Sequence, residues 1–260
     1  MRPRTVKATR YVTPLREGGS LPAVVEADDD GLYVLKFRGA GQGPKALIAE
    51  LVAGELARAL ELPVPEIVFV TLDAALARTE PDPEIQDLIR ASAGLNLALD
   101  YLPGSVTFDP VVDRVEASLA SRVVWFDALV TNIDRTPRNT NLLVWHKRLW
   151  LIDHGAALYF HHSWANYLER ARSPFAQIKE HVLLPSAAAL EEADSALAPL
   201  VTTELVTGLL ELIPDEWLAA DAQFADAAST RAAYAEYLRE RLRPPRDFVK
   251  EAADARALSV

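Results

Sequence analysis

The residues best suited to chemistry lie in one short polar segment and at the end of the hairpin that follows it. Asn139 stands five residues after Asp134, and Asp153 stands fourteen residues after Asn139, at the end of an apolar run and just before Gly155. A carboxylate, an amide and a second carboxylate in this order are typical of phosphoryl transfer. The first carboxylate orients an acceptor hydroxyl or takes its proton. The amide and the second carboxylate offer the hard oxygen ligands that Mg²⁺ prefers.

The specificity of this pattern comes from the whole set. A single Asp and Asn at this spacing carries little information, because both residues are common in turns, where they bond to their own backbone. The complete arrangement is far rarer: an apolar helix ends before Asp134, Asn139 follows, and an apolar hairpin ends at Asp153. We therefore interpret Asp134 as a catalytic residue and Asn139 and Asp153 as metal ligands. Arg135 and Arg138 could steer a phosphate or pair with nearby acids, and both interpretations stay open.

A lysine inside an apolar strand is the second feature. Lys36 lies in the run Tyr33–Phe37 and points either to solvent or into a cleft. Kinase-like folds pair a strand lysine with a glutamate on the next helix, which holds the lysine against the α- and β-phosphates of ATP. The following helix offers Glu50, close to its apolar face, and Glu55, which could form a surface ion pair with Arg58. We favour Glu50, and Glu55 stays open.

A small glycine-containing loop precedes the first β-prone run. Gly18, Gly19 and Ser20 could lay backbone N–H groups over phosphates. They match neither a GxGxxG motif nor a Walker loop, and an ordinary surface loop is the competing interpretation.

Hydrophobic periodicity predicts an α+β chain, rich in strands first and helical later. The predicted strands are Ala23–Glu26, Tyr33–Phe37, Glu66–Leu72, Leu95–Tyr101, Leu142–Trp145 and Leu149–Ile152. The predicted helices are Pro44–Leu60, Asp113–Val130, Pro174–Leu183, Ala187–Ala198, Thr203–Leu212, Asp215–Ala228 and Thr230–Leu242. The segments predicted to be least ordered are Arg78–Pro83, the Pro244-Pro245 break and the last few residues.

The composition narrows the functions that these residues can serve. The 260 residues carry a formal charge of -10 and include no cysteine, so thiolate metal sites, iron–sulfur clusters and thiol nucleophiles are excluded. The acidic balance argues against nonspecific binding to nucleic acid. No apolar run reaches the roughly 18–20 residues of a membrane-spanning helix, and no apolar stretch follows the basic N-terminal residues. A cytoplasmic protein of one large domain or two small lobes is expected.

Together these features resemble the HipA-like kinases, specifically their shorter stand-alone group, and more distantly the protein and phosphoinositide kinases. The similarity runs from about residue 10 to residue 185. The segments that carry it are GGS at 18–20, YVLKFRG at 33–39, KALIAELVAGELARALELPVPE at 45–66, NIDRTPRNTNLL at 132–143 and LIDHGAALYF at 151–160.

The resemblance implies a bilobal protein-kinase-like fold that uses ATP and Mg²⁺. Residues 1–102 would form a β-rich N-lobe and residues 103–260 a mainly helical C-lobe. Lys36 would contact the phosphates, and a hinge at Leu99, Tyr101 and Leu102 would meet adenine, mostly through backbone atoms. Ser20, in the expected phosphate loop with Gly18 and Gly19, is the nearest candidate for the autophosphorylation that HipA-type kinases can perform.

Two positions depart from the usual kinase motifs. Asn132 and Ile133 replace the His-Arg pair before the catalytic aspartate, and His154 replaces the aromatic residue of Asp-Phe-Gly. We interpret both as family variation, because neither position carries the chemistry.

The expected function is therefore an ATP- and Mg²⁺-dependent kinase that phosphorylates Ser or Thr of a protein substrate, with no membrane partner and no direct nucleic-acid partner. Two alternatives stay open. One is a kinase of the same fold with a small-molecule or lipid acceptor, and the other is an ATP-binding regulatory module without turnover.

Overall fold

The first part of the chain folds into a strand barrel. The computed structural model describes residues 2–15, 21–219 and 223–259, and the expected phosphate loop at residues 18–20 lies outside these ranges. The barrel strands are β1 (Thr5–Pro14), β2 (Ala23–Ala27), β3 (Leu32–Lys36), β4 (Ile67–Leu72) and β5 (Gly94–Asp100). They close in the order β1-β2-β3-β5-β4.

The predicted first hairpin is confirmed. β2 and β3 pair antiparallel, with Val24 opposite Val34. The turn between them uses Asp30 in the left-handed region at φ 60°, a conformation that aspartate tolerates better than most residues. The pairing fixes the direction of β3 and sets Lys36 at its last position.

Helix α1 (Pro44–Ala59) follows the prediction almost residue for residue. Pro44 is placed in its first turn, where proline costs no hydrogen bond. The helix is buried around most of its circumference, because β4 and β5 contact one side and helices near the C-terminus contact another. Glu50 is therefore carried into the interior with its side chain fully buried.

The remaining chain is mainly helical around a small second sheet. That sheet has the order β6-β7-β8. Its strands are β6 (Val106–Thr107), β7 (Leu142–Trp145) and β8 (Arg148–Leu151), and the helices are α2 (Pro83–Ala91), α3 (Ala117–Val130), α4 (Tyr167–Ala171), α5 (Leu190–Leu197), α6 (Thr203–Leu210), α7 (Asp215–Leu218), α8 (Ala227–Leu242) and α9 (Asp247–Ser259). Short 3₁₀ turns lie at Ala74–Thr79, Tyr159–His162, Ala176–Glu180, Leu184–Ser186 and Ala198–Leu200.

Two hydrophobic clusters organise these elements. The smaller cluster fills the barrel, and α2 closes it with Ile85 and Ile89. The larger cluster is continuous from α1 through α3 to the C-terminal helices. Because α1 and α3 share this core, the strand lysine, the helix glutamate and the loop after α3 are held in a fixed relation. No helix among the described residues combines the length and the apolar character that crossing a bilayer needs.

Several predicted boundaries are wrong. The predicted helix Pro174–Leu183 is only a short 3₁₀ turn, because Phe175 adopts φ 65° and breaks the backbone pattern at the start. α3 begins at Ala117 and not at Asp113, since Asp113 instead closes a turn by accepting a hydrogen bond from the Asp109 N–H. Of the predicted helix Asp215–Ala228, residues 215–218 form α7 and residues 227–228 begin α8.

Two of the segments predicted to be least ordered contain helical residues. Arg78 lies within a 3₁₀ turn and α9 extends to Ser259. The apolar pattern does not predict β1, α2 or α9 at all.

Candidate active site

Lys36 lies at the centre of a buried ionic cluster. Its side chain is 13% exposed, and its Nζ contacts Glu50 Oε2 and lies 2.5 Å from Asp153 Oδ1. Glu50 lies on α1, 14 residues after Lys36, and Asp153 follows β8, 117 residues after Lys36. The fold therefore joins three residues that the sequence placed separately.

The charges in this cluster stabilise one another. Burial alone lowers the pKa of Lys36, but the carboxylates of Asp153 and Glu50 outweigh it and the pKa is raised. Burial raises the pKa of Glu50, and the Lys36 charge together with a hydrogen bond from His154 more than reverses this effect, so the pKa is lowered. Both groups are thus ionised near neutral pH.

The structure distinguishes between the two glutamates on α1. Glu50 contacts Lys36, whereas Glu55 lies 3.4 Å from Arg58 on the same helix. Burial raises the pKa of Glu55. The apolar neighbours of Glu50 in the sequence were thus a correct signal for its position.

Asp134 lies in the loop after α3 and is oriented by amide side chains. Asn139 Nδ2 donates to Asp134 Oδ2 at 2.8 Å, and Asn141 Nδ2 donates to the Asp134 carbonyl at 2.7 Å and to Oδ2 at 3.3 Å. The Asp134 N–H in turn donates to Asn132 Oδ1 at 3.1 Å. Within the described residues, Oδ1 of Asp134 has no hydrogen-bond donor, so it is available to an incoming hydroxyl.

Two effects raise the pKa of Asp134. Burial is the larger, and the negative charge of Asp153 adds to it, although the hydrogen bonds from Asn141 and Asn139 act in the opposite direction. A carboxylate with a raised pKa is better suited to accept a proton than an ordinary surface aspartate.

Asp153 ends the hairpin in a left-handed backbone conformation. Its φ is 55°, in the left-handed region, and its side chain is 43% exposed. The preceding Ile152 N–H donates to the Asn141 carbonyl at 3.1 Å, which ties the end of the hairpin to the Asp134 loop.

Arg135 is a structural residue in this arrangement. Its side chain is fully buried, and its Nε lies 2.6 Å from Asp127 Oδ2. It also donates to the carbonyls of Asn141 and Ile152. Of the two open interpretations, pairing with an acid is correct for Arg135, whereas Arg138 is exposed.

Asp127 is the residue that the sequence interpretation missed. It accepts hydrogen bonds from Arg135, from Asn132 Nδ2 at 2.9 Å and from His181 Nε2 at 2.9 Å. The Leu183 N–H donates to His181 Nδ1, so the proton of His181 is on Nε2. An acid inside the apolar run of α3 was the available signal, because a buried carboxylate needs partners.

The expected hinge lies where β5 leaves the barrel. The side chains of Leu99 and Leu102 are buried, and the Tyr101 N–H donates to the Leu32 carbonyl at 3.0 Å. The backbone of this segment is therefore held against β3, the strand that carries Lys36.

Comparison with known proteins identifies the family. The family model described as HipA-like kinase matches residues 9–246. The chain belongs to the HipA-like kinase family. A search of curated protein sequences finds no match.

Two solved structures share the fold of this HipA-like kinase. A crystal structure of the Helicobacter pylori proinflammatory kinase CtkA has a TM-score of 0.58 at 12% identity and covers 96% of this chain and 99% of its own. A crystal structure of the Golgi casein kinase with Mn and ADP bound has a TM-score of 0.52 at 12% identity and covers 100% of this chain and 75% of its own. Family membership and these similarities support a kinase-type phosphotransferase with a mixed α and β, kinase-like fold.

Proposed function

We propose that this HipA-like kinase transfers the γ-phosphoryl group of ATP to a serine or threonine hydroxyl of a protein, with Mg²⁺ as cofactor. The observation that carries the proposal is the contact of Lys36 with both Glu50 and Asp153. Phosphoryl transfer requires a cation beside the phosphates and a carboxylate beside the metal. Lys36 would be this cation, and its contact with Asp153 brings the metal-binding carboxylate next to it.

The donor atoms near Asp134 fit a hard divalent cation. Asp153 offers a partly exposed carboxylate, and Asn139 uses its Nδ2 on Asp134, which leaves its Oδ1 as a neutral oxygen ligand. Mg²⁺ often takes one or two protein ligands and completes its shell with phosphate oxygens and water. Accordingly, the described residues contain no cluster of three His, Cys, Asp or Glu side chains suited to holding a metal by themselves. When bound, the ion would offset negative charge on the phosphate oxygens.

Three side chains would each have a separate role in the transfer. Lys36 would bind the α- and β-phosphates, with Glu50 holding its side chain in place. Asp134 Oδ1 would orient the acceptor hydroxyl and take its proton at the point of transfer.

The proposal includes a bilobal layout. Residues 1–102 form the N-lobe and residues 103–260 form the C-lobe. Leu99, Tyr101 and Leu102 would meet adenine as the hinge, and Gly18, Gly19 and Ser20, outside the described residues, would bind the phosphates. A protein acceptor is supported by the structural similarity to a kinase named for casein, which is a protein.

The decisive assay uses radiolabelled ATP with purified protein and casein as a trial acceptor. The variants are Asp134→Asn and Asp153→Asn, and the matched control is Asp254→Asn, an exposed acid on α9. Wild type and control are expected to transfer phosphate, and the two site variants are expected to lose about 100-fold or more. Equal transfer by all four proteins would overturn the assignment of the site.

The same assay separates the alternatives. ATP-dependent labelling of a small molecule or lipid, with none on any protein, would place the acceptor in that class. A wild type that is stabilised by ATP and Mg²⁺ in thermal unfolding, yet hydrolyses and transfers no more phosphate than Asp134→Asn, would be a regulatory module.

A further inference from the structure

The residue after Asp153 reaches back to the helix glutamate. The side chain of His154 is fully buried, and its Nδ1 lies 3.2 Å from Glu50 Oε1. Its ring stands edge-on to Phe126, with ring centroids 6.0 Å apart. The position that we interpreted from sequence as family variation therefore has a specific polar contact.

The direction of this hydrogen bond follows from its partners. The carboxylate of Glu50 is ionised and can only accept, so His154 must donate from Nδ1. His154 Nε2 is buried and has no hydrogen-bond partner among the described residues. Within the described residues, the hydrogen bond from Nδ1 to Glu50 is therefore the one polar contact of the ring.

Each oxygen of Glu50 thus has its own partner. Lys36 takes Oε2 and His154 takes Oε1. Without His154, Oε1 would be buried and unpaired, and the carboxylate could rotate until both oxygens contact the Lys36 ammonium. Such a rotation would pull the ammonium away from Asp153, its other partner.

We propose that His154 is a positioning residue, which fixes the orientation of Glu50 and thereby holds Lys36 between α1 and Asp153. The inference rests on the proposed function, because Lys36 matters in this way only if it binds phosphates. Since His154 follows Asp153 directly, it also links the expected metal ligand to α1 through a single residue.

Three substitutions separate positioning from packing. His154→Phe keeps a ring against Phe126 and removes the donor. His154→Asn loses the ring, but its Nδ2 can occupy nearly the place of the histidine Nδ1. The side chain of His154→Gln is one bond longer, so its amide nitrogen lies near the place of the histidine Nε2 and not of Nδ1. His146→Phe, in the exposed turn between β7 and β8, is the matched control.

Positioning and packing predict opposite orders of activity. If His154 positions Glu50, the Phe and Gln variants lose about 10–100-fold in kcat, whereas Asn retains kcat within about threefold in spite of a lower Tm. If the ring only fills space, Phe keeps kcat and Asn loses it. A double-mutant cycle with Glu50→Gln adds a second criterion, because the effects of the Phe variant and of Glu50→Gln on kcat should be strongly non-additive.

An NMR measurement without ATP tests the role of His154 independently of the proposed function. Nitrogen-15 NMR of the histidine rings should show the proton of His154 on Nδ1, and Glu50→Gln should shift that resonance. An Nε2–H tautomer, or a folded Asn variant that is as slow as the Phe variant, would overturn the positioning role while leaving the kinase intact. An Nδ1–H tautomer in a wild type that transfers no phosphate would overturn the proposed function and, with it, the role of His154.

Discussion

Replacing Arg135 by methionine tests the buried network behind the Asp134 loop. The change leaves Asp127 as a fully buried carboxylate without its cationic partner. Removing one partner of a buried ion pair costs about 3–5 kcal/mol in the free energy of unfolding. The hydrogen bonds from Asn132 and His181 to Asp127 remain, so the lower half of this range is expected. For a chain of this size, each kcal/mol lowers Tm by about 2–4 °C. The expected loss is therefore about 6–16 °C.

Thermal and urea unfolding measure this change, and Arg138→Met is the control. Arg138 is exposed in the same loop, so its replacement should change the free energy of unfolding by less than about 0.5 kcal/mol. Combining Arg135→Met with Asp127→Asn removes both charges and should restore part of the stability. An Arg135→Met protein that melts within about 2 °C of wild type, with the double variant no more stable, would refute the role of this ion pair.

Three further predictions follow from the same contacts. Lys36→Met should lower kcat/KM for ATP by about 100-fold or more in steady-state assays, whereas Glu55→Gln should not; equal losses would contradict the pairing with Glu50. Burial lowers the pKa of His161 and of His181. As pH falls below about 6.5, the unfolded chain therefore binds protons on these histidines at a higher pH than the folded protein does. The free energy of unfolding in urea should then drop by at most about 1.4 kcal/mol for each histidine between pH 7.5 and 5.5, and a flat profile would contradict this. Arg241→Met removes hydrogen bonds to the last carbonyls of α3 and should lower Tm by about 4 °C or more in calorimetry, while an unchanged Tm would show that those carbonyls find other donors.

Much of the fold can be predicted from the sequence because its signals are local. The hairpin of β2 and β3, helix α1 and the hairpin of β7 and β8 each carry strong apolar periodicity between turn residues. β1 escapes prediction because Val6 and Ala8 are its only buried residues and its pairing with β2 is irregular. α9 is rich in alanine and charge, so its buried face is set by the helices packed against it.

The residues of the site that are close in sequence could also be predicted, whereas contacts between distant residues could not. Asp134, Asn139 and Asp153 form a recognisable spacing, and Glu50 is distinguished from Glu55 by its apolar neighbours. The partners of Arg135 are harder to predict, because Asp127 lies on the preceding helix and burial is not visible in the spacing. His154 is harder still, since its contact with Glu50 joins residues 104 positions apart.

The most direct test of the proposed site is the rate of γ-phosphoryl transfer by Asp134→Asn. This substitution keeps the size of the side chain and leaves an amide that cannot take the acceptor proton. The rate should fall about 100-fold or more with unchanged Tm and unchanged affinity for ATP and Mg²⁺. A variant that transfers phosphate as fast as wild type would contradict the assignment of Asp134 and the phosphoryl-transfer site built around it.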